Sequence, residues 1–176
     1  MKQSVLPPHW FNRPTLRIAR ELLGKYLVRR IGRKVIARQI TEVEAYVGFK
    51  DRASHASRGK TGRNYVMFGP PGTWYVYFTY GMHWMLNIIT EREGYPAAVL
   101  IRGVEGVSGP ARVTKFFKID KRLNAKPAVP ATGLWIEDRG VRVRSSAIER
   151  SKRIGVAYAG ASRHKLWRFL YTQHDH

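Results

Sequence analysis

Apolar and polar positions alternate along the chain in ways that divide it into short elements. Across PTLRIARELLGKY, residues 14–26, apolar side chains recur three and four apart, so Leu16, Ala19, Leu22 and Leu23 form the stripe of a short amphipathic helix. Pro14 suits its first turn and Gly24 its end. The period then drops to two. LVRRIGRKVIARQITEVEAY reads as a hairpin turning near Gly32, with its second strand running to Tyr46. On a pleated strand Ile40, Glu42, Glu44 and Tyr46 point one way, and Thr41, Val43 and Ala45 the other. Two carboxylates and a phenol thereby share a face.

Residues 47–63 are polar and basic and read as a long surface loop, a frequent place for function. TWYVYFTYG (73–81) and HWMLNIIT (83–90) read as adjoining strands. Tyr75, Tyr77 and Thr79 face one side, Trp74, Val76, Phe78 and Tyr80 the other, and Gly81 lets Tyr80 stand at a strand end. AAVLIRGVE (97–105) is a further strand, and GPARVTKFFKI (109–119) opens a helix at Pro110. LWIED and VRVRS pair as a hairpin around Gly140, and RIGVAYAG and LWRFLY are terminal strands. No Asp, Glu, Lys or Arg occurs from Tyr65 to Thr90, but Gly69-Pro70-Pro71-Gly72 and Gly81 interrupt the run, which excludes a membrane-spanning helix there. The expected class is α+β: one compact mixed domain over residues 1–176, rich in antiparallel pairs, with a few helices and no repeat or linker.

Composition narrows the partners. With 32 Lys plus Arg against 12 Asp plus Glu, the formal charge of +20 points to a polyanion, nucleic acid first and an anionic membrane surface second. Absence of cysteine excludes disulfides, thiolate metal sites and a cysteine nucleophile, and fits a reducing cytoplasm. The first residues, MKQSVLPPHWF, lack the apolar core of a signal peptide. Six scattered histidines, three of them near the ends, suggest no metal cluster.

The aromatic run WYVYFTYGMHW mostly supplies core, yet tyrosines beside a basic loop also make a platform for bases, at about 1–3 kcal/mol per stacked base. TEVEAY, then His55, then NYVMFGPPGTWYVYFTYGMHWMLNI and AAVLIRG follow an order that resembles the alkyladenine (3-methyladenine) DNA glycosylase family over most of the chain. GPARVTKFFKI, RIGVAYAG and LWRF fit the same layout more loosely.

The resemblance implies roles. Glu44 would be the general base that activates water and stabilises the charge on the sugar, with Arg102 holding the water; such a cation would lower the carboxylate's pKa and keep it ionised. Glu42 would be structural, paired with a Lys or Arg. Tyr46, His55, Tyr77 and Asn87 would form the base pocket, whose electron-rich rings favour cationic lesions and whose amide would exclude normal guanine. Tyr80 would fill the gap left in the duplex, flanked by Met82 and His83, and the Ile154 carbonyl would be a further water ligand. His83 and Trp84 depart from the family pattern, and the loop from His55 to Asn64 is shorter than in vertebrate members.

Arg58, Lys60, Arg63, Lys115 and Lys118 are candidate phosphate contacts. The implied partner is double-stranded DNA containing damaged purines, bound by a monomer, with water as nucleophile and no cofactor. No lysine amine stands in the matched site, which disfavours lyase chemistry. A relative that only binds lesions, and a general RNA-binding protein, are the competing readings. The ranking of 3-methyladenine, 7-methylguanine, hypoxanthine and ethenoadenine stays open.

Overall fold

The computed structural model describes residues 3–172 of the 176. Ten strands and two α-helices occur among them. In chain order these are β1 (Ser4–Val5), α1 (Thr15–Leu22), β2 (Tyr26–Ile31), β3 (Lys34–Val47), β4 (Trp74–Thr79), β5 (His83–Ile89), β6 (Ala97–Val104) and β7 (Val107–Ser108). After them come α2 (Pro110–Phe116), β8 (Leu134–Asp138), β9 (Ile148–Ser151) and β10 (Arg168–Tyr171). The strands form one antiparallel sheet in the order β1-β8-β2-β3-β6-β5-β4, as the α+β reading requires.

Strand β3 is the axis of that sheet. It meets β2 across a two-residue turn, Ile31 opposite Lys34, and Gly32 takes the positive φ of 59° that such hairpins need. Along its far half β2 gives way to β10, with Arg168, Phe169 and Leu170 opposite Glu44, Val43 and Glu42. The other edge of β3 pairs with β6, and the register shifts on both sides of Glu42. This bulge corrects the expected facing. Ile40 packs into the main core with Val43 and Ala45 instead of sharing the side of Glu44 and Tyr46, because an extra residue reverses the alternation.

Helix α1 is shorter than its sequence pattern predicts. Pro14 sits extended at its N-cap and Leu23 is extended at its end. Ala19, Leu22 and Leu23 are buried as the stripe implies, together with Thr15 and Ile18, while Leu16 is only half-buried. The Thr15 amide and hydroxyl both donate to the Glu91 carboxylate, which sets negative charge at the helix N-terminus. Helix α2 starts at Pro110 as expected, and both helices feed one apolar core that also holds Trp74, Leu86, Val99, Phe117 and Phe169.

Two expected strands are absent. Residues 141–144 have no regular structure, and the hairpin around Gly140 does not form, because both edges of β8 are already taken by β1 and β2. RIGVAYAG is a run of turns, in which the Ile154 amide donates to the Glu44 carboxylate instead of to a ladder partner. No helix among the described residues is long and apolar enough to cross a membrane.

The difference between Ile18, fully buried, and Leu16, half-buried, gives a check on the helix register. Ile18→Ala should cost about 2–5 kcal/mol of unfolding free energy, and Leu16→Ala less than half as much. Denaturant titration measures both, and the reverse ranking would contradict this packing.

Candidate active site

Four strands, the loop bearing Ala53 and His55, and one turn segment line a cavity of about 360 Å³, within the range of small-ligand pockets; β5 brings Met85 and Asn87. Strand β3 contributes Glu44 and Tyr46, β4 contributes Tyr75, Tyr77 and Thr79, β6 contributes Ala98, Leu100 and Arg102, and residues 154–158 close the remaining side. The alternation of β4 puts Trp74 and Val76 in the core and the tyrosines into the cavity.

The Glu44 side chain is wholly buried, and both carboxylate oxygens are engaged. The Tyr46 hydroxyl donates to Oε1 at 3.0 Å, and the Arg102 guanidinium reaches the same oxygen at 3.4 Å. The Ile154 amide donates to Oε2 at 2.6 Å. Loss of hydration nonetheless outweighs these partners and raises the Glu44 pKa. Arg102 does lower it, as expected, but burial outweighs that pull and the net direction is upward. Arg102 donates more closely to Glu42, at 3.1 Å, and Glu42 also takes a bond from Arg168 at 2.7 Å. Glu42 is therefore an ion-pair anchor that shares Arg102 with Glu44.

The rings form a continuous wall. His55 lies edge-on to Tyr77 with centroids 4.5 Å apart, and Tyr75 is 5.2 Å from Tyr77. The His55 Nδ1 lies 3.3 Å from the Tyr75 hydroxyl. Burial, and then the Arg63 charge, lower the His55 pKa, so the imidazole is neutral at neutral pH. Burial pushes the Tyr75 phenol up to about 12 and raises those of Tyr46 and Tyr77, so all three stay protonated and keep a proton to donate. Asn87 is buried in the cavity wall and donates through Nδ2 to the Tyr75 carbonyl at 3.3 Å.

Tyr80 stands at the mouth, 83% exposed. It and Gly81 both have positive φ, 53° and 63°, in the turn joining β4 to β5, and the Met82 amide closes that turn on the Thr79 carbonyl. The left-handed backbone takes Tyr80 out of the strand alternation and onto the cavity side, not the face of Trp74 and Phe78 that a straight strand implies. Met82 is exposed beside it, and His83 is half-buried opposite Thr79.

The basic residues divide. Arg63 is tied back, donating to the Phe78 carbonyl at 2.7 Å, and Lys60 lies over the Phe68 ring. Lys115 and Lys118 line a hollow that also contains Met82, His83 and Arg122. Arg58 lines another, of about 580 Å³, with Arg52, and this hollow shares His55 and Tyr158 with the main cavity.

Sequence reasoning missed Tyr75, Tyr158 and Arg52. Tyr75 was accessible from its i, i+2 relation to Tyr77, whereas Tyr158 lies in turns without periodicity. Among the described residues there is no cluster of three or more His, Asp or Glu able to hold a metal; His174 and His176 lie outside them.

Comparison with known proteins converges on one family. The profile of the methylpurine-DNA glycosylase (MPG) family matches residues 9–108 and 105–175. A protein of Methanocella arvoryzae, named provisionally as a 3-methyladenine DNA glycosylase, is 43% identical over 185 aligned positions, covering 94% of this chain and 91% of its own length. Proteins so named from Legionella pneumophila and Psychrobacter cryohalolentis are 41% and 36% identical, each across more than nine-tenths of both chains. A chain matched by this profile over nearly its whole length, with near-complete relatives above the level at which folds diverge, belongs to the methylpurine-DNA glycosylase family and is a DNA glycosylase, a hydrolase of the N-glycosidic bond.

Proposed function

We propose that this enzyme flips alkylated purines out of duplex DNA and releases them by hydrolysis, with Glu44 as general base for the attacking water. The observation that carries this reading is a wholly buried carboxylate, held at both oxygens, in the wall of a tyrosine-lined cavity. Cleavage builds positive charge on the sugar, and a carboxylate in a dry site stabilises that charge strongly while drawing a proton from water. Tyr46, Tyr77 and neutral His55 face the flipped base, and Asn87 limits its exocyclic edge. Electron-rich ring faces favour cationic bases such as 3-methyladenine and 7-methylguanine. These lesions leave without prior protonation, which suits a site whose phenols are all held above their ordinary pKa. Arg102 and the Ile154 backbone border the water's position next to Glu44.

Tyr80 fills the vacated space in the duplex, its strained backbone presenting the ring without support from neighbours. Arg52, Arg58, Lys115 and Lys118 in the two basic hollows face the phosphates, and Arg63 and Lys60 act closer to the base pocket. A binding-only relative has no use for a carboxylate buried against its hydration, so the hydrolytic reading is favoured.

Glu44→Gln should lower the single-turnover excision rate by about 10²–10⁴ while duplex binding is kept. An unchanged rate in that variant excludes Glu44 as the base. Because burial raises the Glu44 pKa, the acid limb of the rate profile should lie above the ordinary carboxylate value of about 4.3. Tyr46→Phe keeps the ring but removes a bond to the ionised form, so the limb should move to still higher pH; a limb that moves down or stays contradicts the pairing. Tyr80→Ala should slow excision from duplex by roughly 10–100-fold, the weight of a lost stack, and affect a single-stranded substrate far less. Equal losses on both substrates rule out the wedge.

A further inference from the structure

One buried ion pair has no part in the chemistry above. The side chains of Asp51 and Arg153 are both wholly inaccessible to solvent. Arg153 Nη1 donates to Asp51 Oδ2 at 2.6 Å and to the Ala45 carbonyl at 2.9 Å. Its Nη2 donates to Asp51 Oδ1 at 2.9 Å and to the Ser162 carbonyl at 3.1 Å. The Asp51 carboxylate also accepts the amides of Val47 and Ala53, at 3.0 and 3.1 Å. Such a pair is an inefficient way to stabilise a fold, because apolar replacements of similar volume are often as stable. What it supplies is direction: a planar fork with fixed bond angles.

Apart from the bond to Ser162, the connections of this fork lead to walls of the cavity. Ala45 lies between Glu44 and Tyr46 on β3, Ala53 lines the cavity from the loop side, and Ile154, one peptide beyond Arg153, holds Glu44 Oε2. The guanidinium also lies 4.9 Å from the Tyr46 ring centroid and 5.0 Å from that of Trp167. Tyr46 lines the cavity and Arg153 does not, so the guanidinium backs the ring on the side away from the cavity. We propose that Asp51 and Arg153 form a positioning pair that sets the Ile154 amide on Glu44 and fixes the plane of Tyr46 against the flipped base. This role presupposes the hydrolytic reading of Glu44 given above.

The charged and titratable groups facing Glu44 are Arg102 from β6, Tyr46 from its own strand, Tyr77 from β4, and Arg153 and Tyr158 from the closing segment; Arg168 of β10 is committed to Glu42. Displacing Arg153 removes its charge and loosens the Ile154 donor together, both of which favour the ionised carboxylate. The effect should therefore appear in pH dependence as well as rate.

The test compares wild type with Asp51→Leu/Arg153→Met and with Arg153→Lys, in single-turnover excision of 7-methylguanine from a duplex oligonucleotide at saturating protein, over roughly pH 5 to 9. Circular dichroism and a cooperative melt establish folding. Expected for both variants are a rate about 100-fold lower, an acid limb displaced to higher pH, and unchanged affinity for the duplex. A folded double variant with the wild-type rate, or with a lower rate and an unmoved limb, overturns the positioning role and leaves a merely structural pair. If the double variant does not fold, Arg153→Lys decides by the same two readouts, since lysine keeps a charge beside Asp51 but cannot also reach the carbonyls of Ala45 and Ser162. Wild-type excision and its loss in Glu44→Gln are measured in parallel, so a failure of the glycosylase reading shows there, before the pair is judged.

Discussion

A carboxylate taken fully out of water is the constraint around which this site is arranged. Ionised Glu44 in an apolar surrounding is costly, and three donors from three parts of the chain meet it: a phenol on its own strand, a guanidinium on the neighbouring strand and a backbone amide more than a hundred residues later. They do not cancel the penalty, and its remainder keeps the group more basic than an exposed glutamate. A base of that kind is better matched to taking a proton from water than one fully neutralised by an ion pair. Glu42 takes the larger share of Arg102, which leaves Glu44 only weakly paired.

The fold delivers these donors through one irregularity. The bulge at Glu42 puts both acids on the site side of β3 while Ile40, Val43 and Ala45 remain in the core. A regular strand bearing both acids toward the cavity would also have turned Ile40 away from its packing. The same trade appears at the β4–β5 turn, where a left-handed Tyr80 exchanges backbone ease for a ring held clear of the surface.

Much of this was legible in the sequence. Period-two patterning located β2 to β6, and the cavity-facing tyrosines of β4 follow from alternation alone. What was not legible depends on partners distant in the chain. The β8 hairpin failed because other strands had already taken both edges, a matter of competition that local patterning does not register. RIGVAYAG looks like a strand because Val, Tyr and Ile favour strands, but its Ile154 amide is bound to Glu44 and its Arg153 side chain to Asp51. The sign of the Glu44 shift also escaped, because the neighbour can be guessed from sequence and the degree of burial cannot.

Strand β3 is flanked at Glu42 to Glu44 by β10 on one edge and β6 on the other, with Val43 and Phe169 sealed beneath. Peptide hydrogens in such a doubly laddered stretch exchange with solvent only when the whole sheet comes apart. The proposed base therefore sits in a stretch held on both edges, while the proposed wedge and the basic loop occupy the surface. On warming, hydrolytic capacity and global structure would disappear in a single step, without a loosened form that still binds duplex and has lost only its chemistry.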